Sequence, residues 1–247
     1  MDAAGTGEVT DGHLLGGRVR YAQPRQGFRS GIEPVLLAAA VPLRPGERLL
    51  EGGTGAGAAL LCAAHRVPGI MGVGVEREPD LVRLAYANVH ANGFAGLMPI
   101  VADVDALPLA GPFDHACANP PYYPQGGTRS PYPGRESAKR AGPDLLLRWA
   151  RALARPLRHR GTLTFVLPAV LMEAALGAMT AAGCAVESIF PLWPKADRAA
   201  GLMLVQGVKD GRNATRLLPG LVVHEPDGRF TAAADAILRD GAALPLR

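Results

Sequence analysis

Asn119-Pro120-Pro121-Tyr122 gathers a carboxamide, a backbone carbonyl held between consecutive prolines and an aromatic ring within four residues. An exocyclic amine conjugated to a flat ring is a poor nucleophile, because its lone pair is delocalised into the ring. A site that accepts both amine hydrogens draws the nitrogen out of conjugation. The side chain of Asn119 supplies one acceptor and the carbonyl of Pro120 the other, and Pro121 narrows the conformations of the backbone that presents it. Tyr122 can stack on the ring and fix its plane. No strong general base is needed, since a nitrogen that has gained a methyl group sheds its proton readily. Placement and electrostatics carry the chemistry. An isolated Pro-Pro after a strand is an ordinary turn, so the tetrapeptide gains meaning only from its surroundings.

Upstream, Glu51-Gly52-Gly53-Thr54-Gly55-Ala56-Gly57 joins strand-like Arg48–Glu51 to helix-like Ala56–His65. Glycines there allow a tight turn and let a ligand approach the backbone. Glu76 ends the next strand, Ile70–Glu76, where a carboxylate can bind two ribose hydroxyls. Asp103 follows a third strand, Met98–Ala102, near where an adenine ring would lie. Two cofactors compete for this arrangement. Gly53-x-Gly55-x-x-Ala58 satisfies a loose dinucleotide fingerprint, and Glu76 would serve NAD equally well. Glu51, however, is awkward beside a pyrophosphate and suits a cationic ligand end, such as the ammonium and sulfonium region of S-adenosylmethionine. The acid-x-G-x-G-x-G pattern therefore favours the methyl donor.

These residues need a frame that brings strand ends together. After a frayed start (1–12), Leu14–Tyr21 reads as a short strand or hairpin and Gly31–Val41 as a helix with Pro34 in its first turn. Strand and helix then alternate. Pro79–Ala91 is a helix closed by Asn92-Gly93, Phe113–Ala118 is the fourth strand of the alternation, and Asp144–Arg155 is a helix stopped by Pro156. Thr162–Leu167 is a strand and Ala169–Ala182 a helix. Val186–Phe190, Leu202–Val208 and Leu217–Val223 read as strands, and Ala232–Asp240 as a last helix. Alternation at this spacing implies an α/β, doubly wound sheet, mostly parallel, with an antiparallel C-terminal edge. Residues 1–45 read as an N-terminal extension and 46–247 as the main domain.

A chain of 247 residues can bury a full core. Its formal charge of +4 is compatible with a polyanionic partner without demanding one. Cys62, Cys117 and Cys184 are scattered, odd in number and without CxxC spacing, so neither disulfides nor a zinc site are expected. The six histidines show no metal-ligand spacing, and no metal is expected. With an acidic N-terminus and no long apolar run, the expected place of work is the cytoplasm.

The loop after the tetrapeptide carries Arg129, Arg135, Lys139 and Arg140 against one acid, Glu136, with Tyr123 and Tyr132 interleaved. Cations track phosphates and aromatic rings stack exposed bases, as single-stranded nucleic acid requires. A mobile solvated loop would look the same. Arg148, Arg151 and Arg155 recur at steps of three and four, on the helix face opposite Leu145, Trp149 and Leu153. A solvated polar face accounts for that stripe, and only its lack of acids leaves room for RNA docking.

Together, the acid-x-G-x-G-x-G loop, Glu76, Asp103 and NPPY resemble the Rossmann-like class I amino-methyltransferases. More closely, residues 16–40 (GGRVRYAQPRQGFRSGIEPVLLAAA) and 217–231 (LLPGLVVHEPDGRFT) resemble the bacterial tRNA(Val) adenine-N6-methyltransferase family, and the similarity runs from about Leu14 to Leu244. The resemblance implies S-adenosylmethionine as cofactor and adenine in tRNA, next to the anticodon, as acceptor. It implies that Glu51, Gly53, Gly55 and Gly57 line the methionine part of the donor, that Glu76 holds the ribose and that Asp103 sits by the adenine. Asn119 to Tyr122 would present the target amine, with Arg29 and Gly31 near the donor's amino acid end. Glu33 replaces the aspartate usual after Gly31, Glu51 replaces aspartate, and Thr54 replaces a common cysteine. The same tetrapeptide serves enzymes acting on DNA adenine, ribosomal RNA adenine and a glutamine amide of release factors, so the acceptor stays open.

Overall fold

The structure is a computed structural model that describes residues 9–25, 30–121 and 144–246. Its nine-stranded sheet runs β5 (Leu97–Val101), β4 (Met71–Glu76), β3 (Arg48–Gly52), β6 (Phe113–Ala118), β7 (Leu157–Pro168), β9 (Leu202–Lys209) and β8 (Cys184–Trp193). Two short pieces, β10 (Arg216–Leu217) and β11 (Leu221–Val222), lie along the outer side of β8. All neighbours pair parallel except β9, which is antiparallel to both β7 and β8. The sheet is thus mostly parallel, and its antiparallel character comes from one strand, β9, set between β7 and β8. The single run expected at Leu217–Val223 is instead two pieces parallel to β8, separated at Pro219 and Gly220, where φ is 87°. β7 begins at Leu157, earlier than the polar Arg158-His159-Arg160 suggested, because Phe113 of β6 pairs with Leu157 ahead of a register shift.

Helices cover both faces. One carries α1 (Glu33–Ala40), α2 (Ala58–Arg66), α3 (Pro79–Ala91) and α6 (Ala232–Asp240), and the other α4 (Asp144–Ala154) and α5 (Met172–Ala181). α1 is buried from Pro34 to Ala40, as a helix apolar all round must be, and packs against α2, β7 and α6. Fully buried Leu36, Leu37, Leu60 and Leu61 dominate this side, each contributing about 1.5–3 kcal/mol of transfer free energy. On the other, α4 turns Leu146, Trp149 and Leu153 inward against Phe113, Phe165 and Leu163.

The N-terminal segment is more ordered than its composition implies. β1 (Val9–Leu14) and β2 (Val19–Pro24) form an antiparallel hairpin, so strand pairing reaches back into residues expected to fray. Its free edge is tied to α3. The Asn88 amide pairs with both the N–H (2.8 Å) and the carbonyl (2.8 Å) of Ala22, and Asn92 does the same for Arg20 at 2.9 and 2.8 Å. Asparagines four apart lie on one helix face, while residues two apart share one strand edge. The two side chains therefore act as a substitute strand.

Candidate active site

Strand register assembles the predicted residues into a row. Gly52 of β3 lies opposite Ala118 of β6 and Val75 of β4, and Glu76 lies opposite Val101 of β5. One residue further out, Gly53, Asn119 and Glu76 emerge side by side with Val101, and Ala102 and Asp103 follow. This is the carboxyl edge of a parallel sheet, where ligands bind in open α/β folds.

The glycine loop is folded by its own backbone. Gly53 and Thr54 donate to the Val75 carbonyl at 2.8 and 3.0 Å, and Gly57 donates to Thr54 at 2.8 Å. Gly53 has φ of 68°, and a Cβ there would stand 2.8 Å from the Trp149 ring, so a side chain is excluded twice. Gly55, at φ 56°, has open space where a Cβ would point, which leaves room for a ligand against the backbone. The Gly55 amide donates to Glu76 Oε2 (3.0 Å) and the Glu78 amide to Glu76 Oε1 (3.1 Å), fixing a half-buried carboxylate beside the loop. Asp103 accepts from the Asp105 amide at 2.9 Å and caps a short turn, Val104–Ala106.

Glu51 lies beneath this row, 4% exposed, accepting from the Thr54 hydroxyl at 2.6 Å. Burial pushes its carboxyl up to about 7; the Thr54 bond resists this and the charge of Glu76 adds to it. Tyr21 of the hairpin shares a 2.7 Å hydrogen bond with Ser30, and burial, reinforced by Glu51, raises its phenol to about 12. The thiols of Cys62 and Cys117 are likewise raised by burial first and Glu51 second. Among the described residues, the groups acting on Glu51 are thus neutral or acidic. A buried carboxyl without a countercharge fits a cationic ligand.

Asn119 is half-buried, Pro120 buried and Pro121 half-buried at the mouth of β6. Gly31 is exposed just ahead of α1, with the Glu33 side chain curled over it. Arg29, Tyr122, Tyr123, Arg129, Arg135, Lys139 and Arg140 lie outside the described residues. Tyr21, Ser30 and Asn88 were missed in the sequence. Asn88 carried a signal, its four-residue spacing from Asn92; Tyr21 and Ser30 carried none, since only packing brings Tyr21 to Ser30 and within reach of Glu51. Among the described residues, no three of His, Cys, Asp and Glu gather where a metal could sit, and no helix is long and apolar enough to cross a membrane.

No protein-family model matches the chain. A tRNA1(Val) (adenine(37)-N6)-methyltransferase from Actinobacillus succinogenes is 28% identical over 219 residues, covering 87% of this chain and 90% of that protein. A predicted O-methyltransferase from Agrobacterium tumefaciens superposes with a TM-score of 0.71 at 23% identity, covering 86% of this chain and 98% of that one, and shares the fold. The chain is a methyltransferase. A release factor glutamine methyltransferase from Rhodospirillum rubrum is 39% identical to this methyltransferase over 79 residues, 32% of the chain. That match spans only 24% of the relative's length, whereas likeness to the tRNA enzymes runs through nearly the whole methyltransferase.

Proposed function

We propose that this methyltransferase transfers a methyl group from S-adenosylmethionine to the exocyclic amine of an adenine in RNA, foremost a tRNA adenine next to the anticodon. The reading is carried by the register row that sets Asn119 beside Gly53 and Glu76 at one sheet edge. The bound donor supplies a methyl group on a cationic sulfur. Glu51 would ionise against the positive methionine end, Gly53, Gly55 and Gly57 would leave backbone for that end to lie on, and Glu76 would accept from the ribose diol. Asp103 would face the adenine, with Arg29 and Gly31 near the amino acid end. Asn119 and the Pro120 carbonyl would accept the two amine hydrogens and hold the nitrogen's lone pair toward the methyl group. Tyr122 would stack on the base. Tyr123, Arg129, Arg135, Lys139 and Arg140 would follow the RNA strand. An unpaired loop base costs little to splay into such a pocket. Residues 1–45 would serve as an extension that walls the donor site, since the Tyr21 phenol feels the charge of Glu51. The three cysteines are unpaired and buried, which suits the cytoplasm.

The test is incubation with labelled S-adenosylmethionine and unmodified bulk tRNA, followed by nucleoside mass spectrometry. N6-methyladenosine should rise with the native chain. It should vanish with Asn119→Ala, a loss of at least about a hundredfold, while donor affinity changes little. Label that resists ribonuclease and stays on protein would select glutamine methylation instead, the reading that the release-factor match favours.

A further inference from the structure

Exposed arginines on the other helices have acidic partners on the same helix: Arg83 pairs with Asp80 on α3, and Arg239 with Asp235 on α6 at 2.6 Å. α4 departs from this habit. It carries Arg148 and Arg151, with Arg155 just past its end, and its single acid, Asp144, stands at its first residue. The three arginines border a groove of about 290 Å³ between α4 and the segment after Asp103, lined also by Asp105, Leu107 and Ala152. Arg148 Nε donates to Asp105 at 2.8 Å and Arg155 donates to the Leu107 carbonyl at 2.6 Å. These bonds hold two guanidinium groups in place, and each retains further N–H donors. Arg151 stands exposed between them. Arg158, a possible fourth member by sequence, instead binds Asp114 and Glu47.

The groove is joined to the candidate active site through chain neighbours of its lining residues. Arg148 precedes Trp149, whose ring lies against Gly53, and Asp105 donates its amide to Asp103. From Arg148 to Arg155 the helix rises about 10 Å, with about 5–6 Å between successive arginines. We infer that this groove is a phosphate-binding track for the RNA strand flanking the target base. The inference rests on the RNA reading above. Three guanidinium groups against one carboxylate leave the groove cationic, and fixed guanidinium forks match phosphate oxygens. A base delivered to Asn119 would leave its neighbouring phosphates to run down α4.

The experiment measures affinity for unmodified tRNA over a salt series, by fluorescence anisotropy, for the native chain, Arg151→Gln, Arg148→Gln with Arg151→Gln, and Asp105→Asn. Releasing fewer counterions, Arg151→Gln should flatten the slope of log affinity against log salt by about 0.7–0.9, and the double variant by about twice that. Asp105→Asn removes the groove's one carboxylate while keeping an oxygen acceptor for Arg148, and should strengthen binding about two- to threefold. Donor affinity should stay unchanged in all variants. Native tRNA binding with unaltered slopes in the variants would overturn the track alone. No binding of tRNA by the native chain would overturn the RNA reading and the track together.

Discussion

Glu51 is held by folding in a state it would not choose in water. Burial raises its carboxyl to about 7, so the donor-free protein carries it about half protonated at neutral pH and largely protonated below. A cationic ligand must draw that proton off. Donor affinity should therefore fall about tenfold for each pH unit below about 7, as one proton is displaced on binding. Above about 8 the donor's own α-amino group begins to lose its charge, so affinity should peak between about 7 and 8. Calorimetry from pH 5.5 to 8.5 reads this directly, and a flat profile would remove Glu51 from the donor's cationic end. Glu51→Gln separates function from stability. A raised folded pKa means stability present below the unfolded value and lost as pH rises through the folded one. The variant should therefore melt higher than the native donor-free chain at pH 8, by up to on the order of 3 kcal/mol, while losing donor binding.

At the scale of elements, helices and core strands were legible where local chemistry agreed with tertiary demand. α3 was bounded correctly because Pro79 suits its start and Asn92-Gly93 its end, with Gly93 at φ 68°. The strand-end placement of Glu51, Glu76 and Asp103 was legible because the alternation of strand and helix marks where each strand stops. The first hairpin strand was not, since Val9-Thr10-Asp11-Gly12 has little apolar pattern and is held by partners elsewhere. Those partners yield a prediction. Asn88 is 3% exposed and bonds Ala22 twice and the Ala56 carbonyl at 2.9 Å, so one side chain joins the hairpin to the glycine loop. Asn88→Ala strips three bonds and leaves buried backbone groups unpaired, a loss of on the order of 3 kcal/mol, or roughly 6–12 °C in melting temperature. Asn88→Asp keeps the acceptor and loses both donors, and should weaken donor binding more than it lowers melting. Unchanged donor affinity in both variants would make the strap structural only.

Across the whole molecule, the two edges of the sheet are built in opposite senses. The carboxyl edge concentrates Glu51, Glu76 and Asp103, while the amino edge closes its charges among themselves. There Asp114 accepts from the Arg48 amide (2.8 Å) and from Arg158, and buried His115 joins Thr162 (2.8 Å) to Glu47 (3.0 Å). Burial lowers the His115 pKa, outweighing the pull of Glu47 and Asp114, with Arg158 adding to the fall. A depressed folded pKa means stability present above the unfolded value of about 6.5 and lost as pH drops through the folded one. In a Glu51→Gln background, which removes the opposing slope of that carboxyl, urea midpoints should hold near neutrality and fall below about 6.5. His115→Gln should flatten that fall by up to about 1.4 kcal/mol per pH unit, the limit for one proton. Glu51 acts in the other direction, so the donor-free chain is pressed from both sides and should be most stable on the acidic side of neutrality. Donor binding relieves only the Glu51 side. Saturating donor should therefore move the stability optimum to higher pH while leaving the His115-dependent acid limb where it was. An acid limb that shifted with donor would mean that the two edges are coupled through the sheet.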